Sequence, residues 1–268
     1  MPDGLNVMEI PTGFVEKSRF VRVIFTDVER EYDVLLHLLT FGMDWAWRRR
    51  MLARITHRES IRVLDLACGT GLVTFPLQRL VGPGGLVVGL DPSIAMLQPA
   101  VRRKRLKVVP VELVRAVGES MPFRDGVFEY ETIGLALRNF GDKEAMFKEA
   151  HRTLANAGWF LSVDFVLPNK PLIRKLYLFY VLKVFPALGR LVSESWLRTL
   201  VYLGKSIQLS TPPQAVCKML SGEGFRQTFF QRITLGVVAI VGGQKQSTST
   251  HRGKSLAWKP TGRLIAMS

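Results

Sequence analysis

The segment VLDLACGTG, Val63 to Gly71, constrains this chain more than any other stretch. A short apolar run ends on glycines and passes into LVTFPLQRL, so a buried strand, a tight turn and a helix N-terminus must follow one another. Gly69 and Gly71 let the backbone approach a ligand where a Cβ would collide, and the helix behind them offers N–H groups without intrahelical partners. The third glycine of a dinucleotide fingerprint is absent. Asp65 stands in the same segment, where its charge repels a pyrophosphate and attracts a ligand bearing an ammonium group. Asp91 closes the next apolar run, where a carboxylate can accept hydrogen bonds from both hydroxyls of a ribose. A single glycine usually marks a turn and a single acid a cap. Two of each, at strand ends, form one constellation that favours S-adenosylmethionine over NAD.

The same strand-to-helix rhythm continues along the chain. From Ile61 the apolar runs are IRVLDLAC, GLVVGLD, LKVVPVELV, VFEYETIGL, WFLSVDFVL, FRQTFFQR and ITLGVVAIVG. They predict an α/β, Rossmann-like sheet of seven strands with helices on both faces, the last two runs lying close enough to pair antiparallel. Residues 1–58 read as an N-terminal helical segment, because Phe20, Val23 and Ile24, then Leu35, Leu38 and Leu39, recur at helical spacing. Residues 59–245 hold the sheet, with a helical insertion over 168–213 after the fifth strand. Residues 246–268 are Ser/Thr-rich and basic without an acid, and are expected to be a mobile tail.

Composition narrows the function classes. A chain of 268 residues, 47% hydrophobic and 22% charged, can bury a large core and is not globally disordered. Thirty-seven Lys and Arg against 22 Asp and Glu give a net charge of +15, a field that favours anionic partners: nucleic acid, acidic membrane or an anionic small molecule. Cys68 and Cys217 alone build neither a disulfide framework nor a four-cysteine zinc site, and His37, His57, His151 and His251 have no ligand spacing, so no metal is expected. Cys68 reads as a small buried filler, since Asp65 nearby would raise its pKa. The first twenty residues carry acids and a proline where a signal peptide needs a basic start. The most apolar stretch, Leu176 to Val192, is interrupted by Lys183, Pro186 and Arg190. A cytoplasmic chain is therefore expected, touching an anionic membrane peripherally at most. The run VRRKRLK, Val101 to Lys107, is expected to be a solvated connection between helix and strand; without an added RNA module, nucleic acid is the weaker explanation for it.

Seven pieces together carry a narrower resemblance: VRVIFTDVEREYD, FGMDWAWRR, VLDLACGTG, VVGLDPSIAML, GESMPFRDGVFEYETIGLALRNF, RTLANAGWFLSVDF and LGVVAIVGGQK. In this order, from about Val21 to Lys245, the chain resembles the class I S-adenosylmethionine-dependent methyltransferases, and among them the ubiquinone/menaquinone biosynthesis C-methyltransferases of the UbiE/MenG type. VLDLACGTG is common to the superfamily; LALRNF with the Tyr-Asp and Gly-x-Asp-x-x-Trp segments is narrower. The resemblance implies a methyltransferase sheet with an antiparallel last strand, a prenylated quinol or similar small aromatic as substrate, and a homodimer. It places Gly69, Thr70 and Gly71 around the methionine moiety, Asp91 on the ribose, Val117 and Gly118 beside the adenine, and Gly134 in the cofactor lining. At Val117 the family usually has Asp or Asn, which holds the adenine amino group; the lost hydrogen bond is worth ~1 kcal/mol net. Gly134 often matches Ser, Asp44 a His, and Leu35 an Asn.

The chemistry implied is alkylation of an electron-rich ring carbon. Such a carbon becomes nucleophilic when a neighbouring hydroxyl loses its proton, so a site must align the ring, exclude water and stabilise a phenolate. Arg138 and Asn139 of LALRNF are the candidates, with Tyr32 positioning a substrate hydroxyl. A guanidinium with a pKa above ~12 is a poor base, so Arg138 is assigned to phenolate stabilisation or to holding a water. Two alternatives fit the same departures from the family pattern: a methyltransferase for another small aromatic or lipid, and a non-catalytic cofactor-binding scaffold.

Overall fold

Near-continuous apolar runs form strands when both faces of a sheet are covered. Five of them make a parallel array: β1 (Arg62–Leu66), β2 (Leu86–Leu90), β3 (Val111–Val114), β4 (Phe128–Gly134) and β5 (Leu154–Phe165). In this computed structural model, which describes residues 10–247 apart from 12, 30, 57–59, 83, 108 and 109, β6 (Phe225–Ile233) and β7 (Val238–Lys245) complete the sheet. The order is β3-β2-β1-β4-β5-β7-β6, and β7 runs antiparallel to both β5 and β6, as expected. The period of two divides the core: Val63, Val87 and Ile240 face one side, Leu64, Val88 and Val241 the other. The first face is covered by α2 (Tyr32–Leu39), α3 (Met43–Leu52) and α4 (Thr74–Gln78), the second by α6 (Lys143–Thr153) and α10 (Pro213–Gly222).

The helical insertion consists of α7 (Pro171–Phe179), a π-turn over Tyr180–Val184, α8 (Phe185–Val192) and α9 (Glu194–Gln208). Helix α1 (Phe14–Thr26) lies on α9, where Phe20, Ile24 and Phe25 pack with Met96 and Tyr202 in a third cluster. Two glycines permit the close approach within the insertion. A Cβ on Gly204 would lie 2.2 Å from the Val181 carbonyl oxygen, and one on Gly189 would lie 2.8 Å from the Leu197 Cα.

One boundary differs from expectation. Helix α5 (Ile94–Lys107) runs to the end of VRRKRLK, and β3 starts only after Pro110. Arg, Lys and Leu are good helix formers, so this run extends the helix instead of forming a connection. The tail beyond residue 247, His57 and His251 lie outside the described residues. Among the described residues no helix is long and apolar enough to cross a membrane.

Gly204→Ala should destabilise the chain by about 1–3 kcal/mol through overpacking, which is a fall of roughly 3–10 °C in Tm for a domain of this size. Thermal unfolding followed by circular dichroism checks this; an unchanged Tm would show that α9 and the π-turn can separate at no cost.

Candidate cofactor and substrate site

The glycine turn is built from both sides. At the end of β1 the backbone enters the left-handed region at Ala67, Gly69 (φ 53°) and Gly71 (φ 87°). Asp91, just past β2, holds the turn: its Oδ2 accepts the Gly69 N–H at 2.9 Å and its Oδ1 the Ser93 N–H at 2.8 Å. Asp65 is fully buried and accepts hydroxyl hydrogen bonds from Thr74 at 2.6 Å and Thr132 at 2.9 Å. Burial pushes Asp65 up to about 7, against the pull of those hydroxyls, and Asp91 up to about 6. Burial, then Asp91 and Asp65, raise the Cys68 thiol well above its ordinary value, which suits a filler and not a nucleophile.

Beside this turn a cleft opens whose empty space, counted together with solvent at its mouth, is about 1010 Å³. Asp65, Gly69, Thr70 and Asp91 line one part of it, Val117, Gly118 and Gly134 another, and Tyr32 and Asn139 a third. Gly71 and Arg138 are the two sequence candidates outside the lining. Gly71 shapes the turn from behind, where a Cβ would come within 2.5 Å of the Phe75 ring. At Gly134 a Cβ would sit 2.5 Å from Val73 Cγ2, so Val73 occupies the space that the family's serine would take. A Cβ on Gly118 would meet the Phe140 ring at 2.6 Å.

The N-terminal helices are part of this cavity. Thr70 donates its hydroxyl to Asp33 Oδ1 at 2.7 Å, Arg103 Nη2 pairs with Asp33 Oδ2 at 2.5 Å, and Arg103 Nη1 donates to the Thr70 carbonyl at 2.8 Å. Helix α2, the glycine turn and α5 are thereby tied together, so Arg103 of the basic run has a structural task and not a solvated one.

Arg138 sits in a 3-10 turn, Leu137–Asn139, just beyond β4. Its backbone N–H donates to Asp164 Oδ2 at 2.8 Å, and its Nη1 reaches both Asp164 Oδ1 and the Leu135 carbonyl at 2.6 Å. Nε donates to Ser206 Oγ on α9 at 3.1 Å. Burial works against its charge, but Asp164 raises the guanidinium above its ordinary value. These groups engage Nε and Nη1 of the guanidinium, which lies outside the cavity lining. Its neighbour does line the cavity. Asn139 Oδ1 accepts the Tyr202 hydroxyl at 2.8 Å, which leaves the amide nitrogen for a ligand. Burial pushes the Tyr32 phenol up, while the charges of Arg138 and Arg48 pull it down. Lys17 of α1 donates to the carbonyls of Arg138 at 3.1 Å and Phe140 at 3.0 Å, and burial lowers it to about 8.

One residue escaped the sequence reading. Arg48, on α3, lines the cavity and is 5% exposed; it pairs with Asp44, and its Nε has no hydrogen-bond partner among the described residues. Asp44 also accepts from Thr40 Oγ1 at 3.2 Å and lies 2.9 Å from His37 Nδ1. The four-residue spacing of Asp44 and Arg48, just after the Gly-x-Asp-x-x-Trp glycine, was the available signal. A buried guanidinium with an open donor, opposite two buried carboxylates, fits a ligand that carries a carboxylate, an ammonium group and a ribose, which S-adenosylmethionine does.

The description of the ubiE/COQ5 methyltransferase family matches residues 14–245. The chain belongs to that family. A ubiquinone/menaquinone biosynthesis C-methyltransferase UbiE from Pseudoalteromonas translucida is 35% identical over 237 residues, covering 86% of this chain and 92% of the relative. The UbiE of Shewanella frigidimarina is 34% identical over 232 residues, with the same coverage. Among solved structures, a SAM-dependent methyltransferase from Aquifex aeolicus superposes with a TM-score of 0.54 at 14% identity, covering 74% of this chain and 88% of that one. A phosphoethanolamine N-methyltransferase 2 from Haemonchus contortus, in complex with S-adenosyl-L-methionine, gives 0.57 at 14% identity and covers 76% and 53%. These two likenesses concern the fold. The chain is a methyltransferase whose methyl donor is S-adenosylmethionine.

Two outcomes follow for the donor site. Arg48→Gln should weaken S-adenosylmethionine binding by roughly 10- to 100-fold, the usual worth of one hydrogen bond to a charged group, with Arg48→Lys recovering part of it in calorimetry. For pH, folded Asp65 and Asp91 hold protons more tightly than the ~3.9 of an unfolded Asp. Their contribution to stability is full below that value and is lost as pH rises through about 6 and 7. Asp65→Asn should therefore raise the Tm of the free protein most at pH 8 and leave it unchanged below pH 4, while weakening donor binding at pH 8.

Proposed function

We propose that this methyltransferase alkylates a ring carbon of a reduced, prenylated quinone; its relatives are named for C-methylation in ubiquinone and menaquinone biosynthesis. What supports this reading is one cavity in which the glycine turn and Asp91 meet Tyr32 and Asn139, within a chain of this family. When bound, S-adenosylmethionine supplies a methyl group on a sulfonium, already activated for attack. The chain's own residues then bind, orient and shield. Arg48 holds the donor's carboxylate, Asp65 faces its ammonium group, and Asp91 accepts from its ribose. Gly118 and Val117 flank the adenine. The Asn139 amide and the Tyr32 hydroxyl bind an oxygen of the quinol ring, and the positive potential of Arg138 and Arg48 behind them favours the phenolate over the phenol. Arg138 is a positioning residue: it fixes the turn that carries Asn139. An apolar wall that includes Phe25, Val73 and Phe140 excludes water from the reacting carbon. The prenyl tail keeps such a substrate in a bilayer, so the chain works at a membrane surface.

The decisive assay is transfer of labelled methyl from S-adenosylmethionine to reduced demethylmenaquinone and to a reduced benzoquinone analogue. Asn139→Ala should lower kcat by ~10²-fold or more, with donor affinity unchanged. Tyr202→Phe, which frees Asn139 without touching the ring, should lower it severalfold. Arg138→Ala leaves Asp164 buried and unpaired at a cost of about 3–5 kcal/mol, so its loss of turnover must be read beside its Tm. Donor binding without turnover on any quinol would overturn the reading in favour of another aromatic substrate or a scaffold.

A further inference from the structure

Helix α7 is amphipathic, yet none of its nine residues is buried. Leu172, Leu176 and Phe179, spaced i, i+4, i+7, are 69%, 61% and 61% exposed, while Tyr177 and Leu178 pack against the core. Helix α2 repeats the pattern: Val34 and Leu38, followed by Phe41 at the same spacing, are 62%, 68% and 74% exposed. The two stripes meet where the Phe41 ring stacks on Tyr180, with centroids 6.1 Å apart, and the Tyr180 hydroxyl donates to the Leu39 carbonyl at 3.1 Å. Trp45 stands on the next turn, 59% exposed, with the Arg49 guanidinium 5.2 Å from its ring centre. Contiguous apolar surface on this scale marks an interaction site.

Charge decides the occupant. From Asn169 to Val192 the chain carries Lys170, Arg174, Lys175, Lys183 and Arg190 and no acid. Lys175 lies within the Leu172–Leu176–Phe179 stripe, where its stem can cover apolar surface while the ammonium group reaches outward. A second copy docking by two-fold symmetry would set these cations against their own counterparts. An anionic bilayer satisfies both features at once, taking the apolar side chains at the acyl boundary and the ammonium and guanidinium groups among acidic headgroups.

We propose that the face formed by α7, α2 and the Phe41 turn is a docking surface for an anionic lipid bilayer. It rests on the quinol reading for its purpose, since it brings the cavity to a membrane-dissolved substrate, and on the exposed stripes for its existence. The test uses the full chain in co-sedimentation with vesicles of phosphatidylcholine alone or with one-third phosphatidylglycerol. Two variants remove the surface: Leu172→Ser/Leu176→Ser/Phe179→Ser, and Lys175→Glu/Lys183→Glu. A third, Lys148→Glu/Lys218→Glu, makes the same charge change on exposed positions of α6 and α10. The expected result is binding to anionic vesicles that falls at least tenfold in both surface variants and less than threefold in the remote one. Donor binding, and methyl transfer to a short-tailed, water-soluble quinol, should be unchanged in all three. Equal losses for the remote and surface charge pairs would reduce the effect to net charge and overturn the proposal. So would undiminished binding of the apolar variant, or light scattering showing a dimer that this variant dissolves. Vesicle binding with no transfer to the soluble quinol would instead refute the quinol reading and leave the docking surface standing.

Discussion

The ion pair of Arg138 with Asp164 is the joint on which the substrate side of this molecule depends. Two charges removed from water are costly, and such a pair persists only where every remaining donor and acceptor has a partner. Here Asp164 takes both the backbone N–H and Nη1 of Arg138, the Leu135 carbonyl accepts from Nη1 as well, and Ser206 accepts from Nε. One interaction thus binds the ends of β4 and β5 to α9 of the insertion. Lys17, donating to the carbonyl of the same arginine, adds α1. The guanidinium is anchored behind the lining, and what lines the cavity is the neutral amide of Asn139, carried on the same turn.

A second joint governs the donor side. Asp33 spans Thr70 and Arg103, so α2 and α5 fix the glycine turn from outside the sheet, and Asp44 holds Arg48 of α3 in the cavity wall. The cavity then contains three carboxylates raised by burial, Asp65, Asp91 and Glu119, and one guanidinium with an open donor. That arrangement is unfavourable when empty and favourable around a ligand of complementary charge, which is the condition for binding energy to appear on occupation.

These two joints mark how far the sequence could be read. The strands and the glycine turn were legible because their signals are local: an apolar run, two glycines, an acid at a strand end. LALRNF marked the turn after β4, but adjacency in sequence could not show that Arg138 and Asn139 face opposite ways, one into the ion pair and the other into the cavity. Nor could VRRKRLK disclose that Arg103 turns inward, since its partner Asp33 lies seventy positions earlier. Arg48 was missed for the same reason: its value comes from a cavity wall assembled from β1, β2 and β4, and not from its neighbours along α3.

The departures from the family pattern acquire a physical order on this basis. Gly134 and Val73 compensate each other in volume, so that change is internal to the wall. Leu35 has joined the hydrophobic core, where an asparagine would need a buried partner. Val117 is different, because a valine side chain cannot accept the hydrogen bond that a carboxylate or amide would. One neutral hydrogen bond is worth ~1 kcal/mol net, against about 1.5–3 for one to a charged group. In the donor pose proposed above, the Arg48 and Asp65 end of the cavity would carry the larger share of the affinity. At the proposed adenine end Gly118 leaves space beside Phe140, and the hydrogen-bonding group in the lining there is the carboxylate of Glu119.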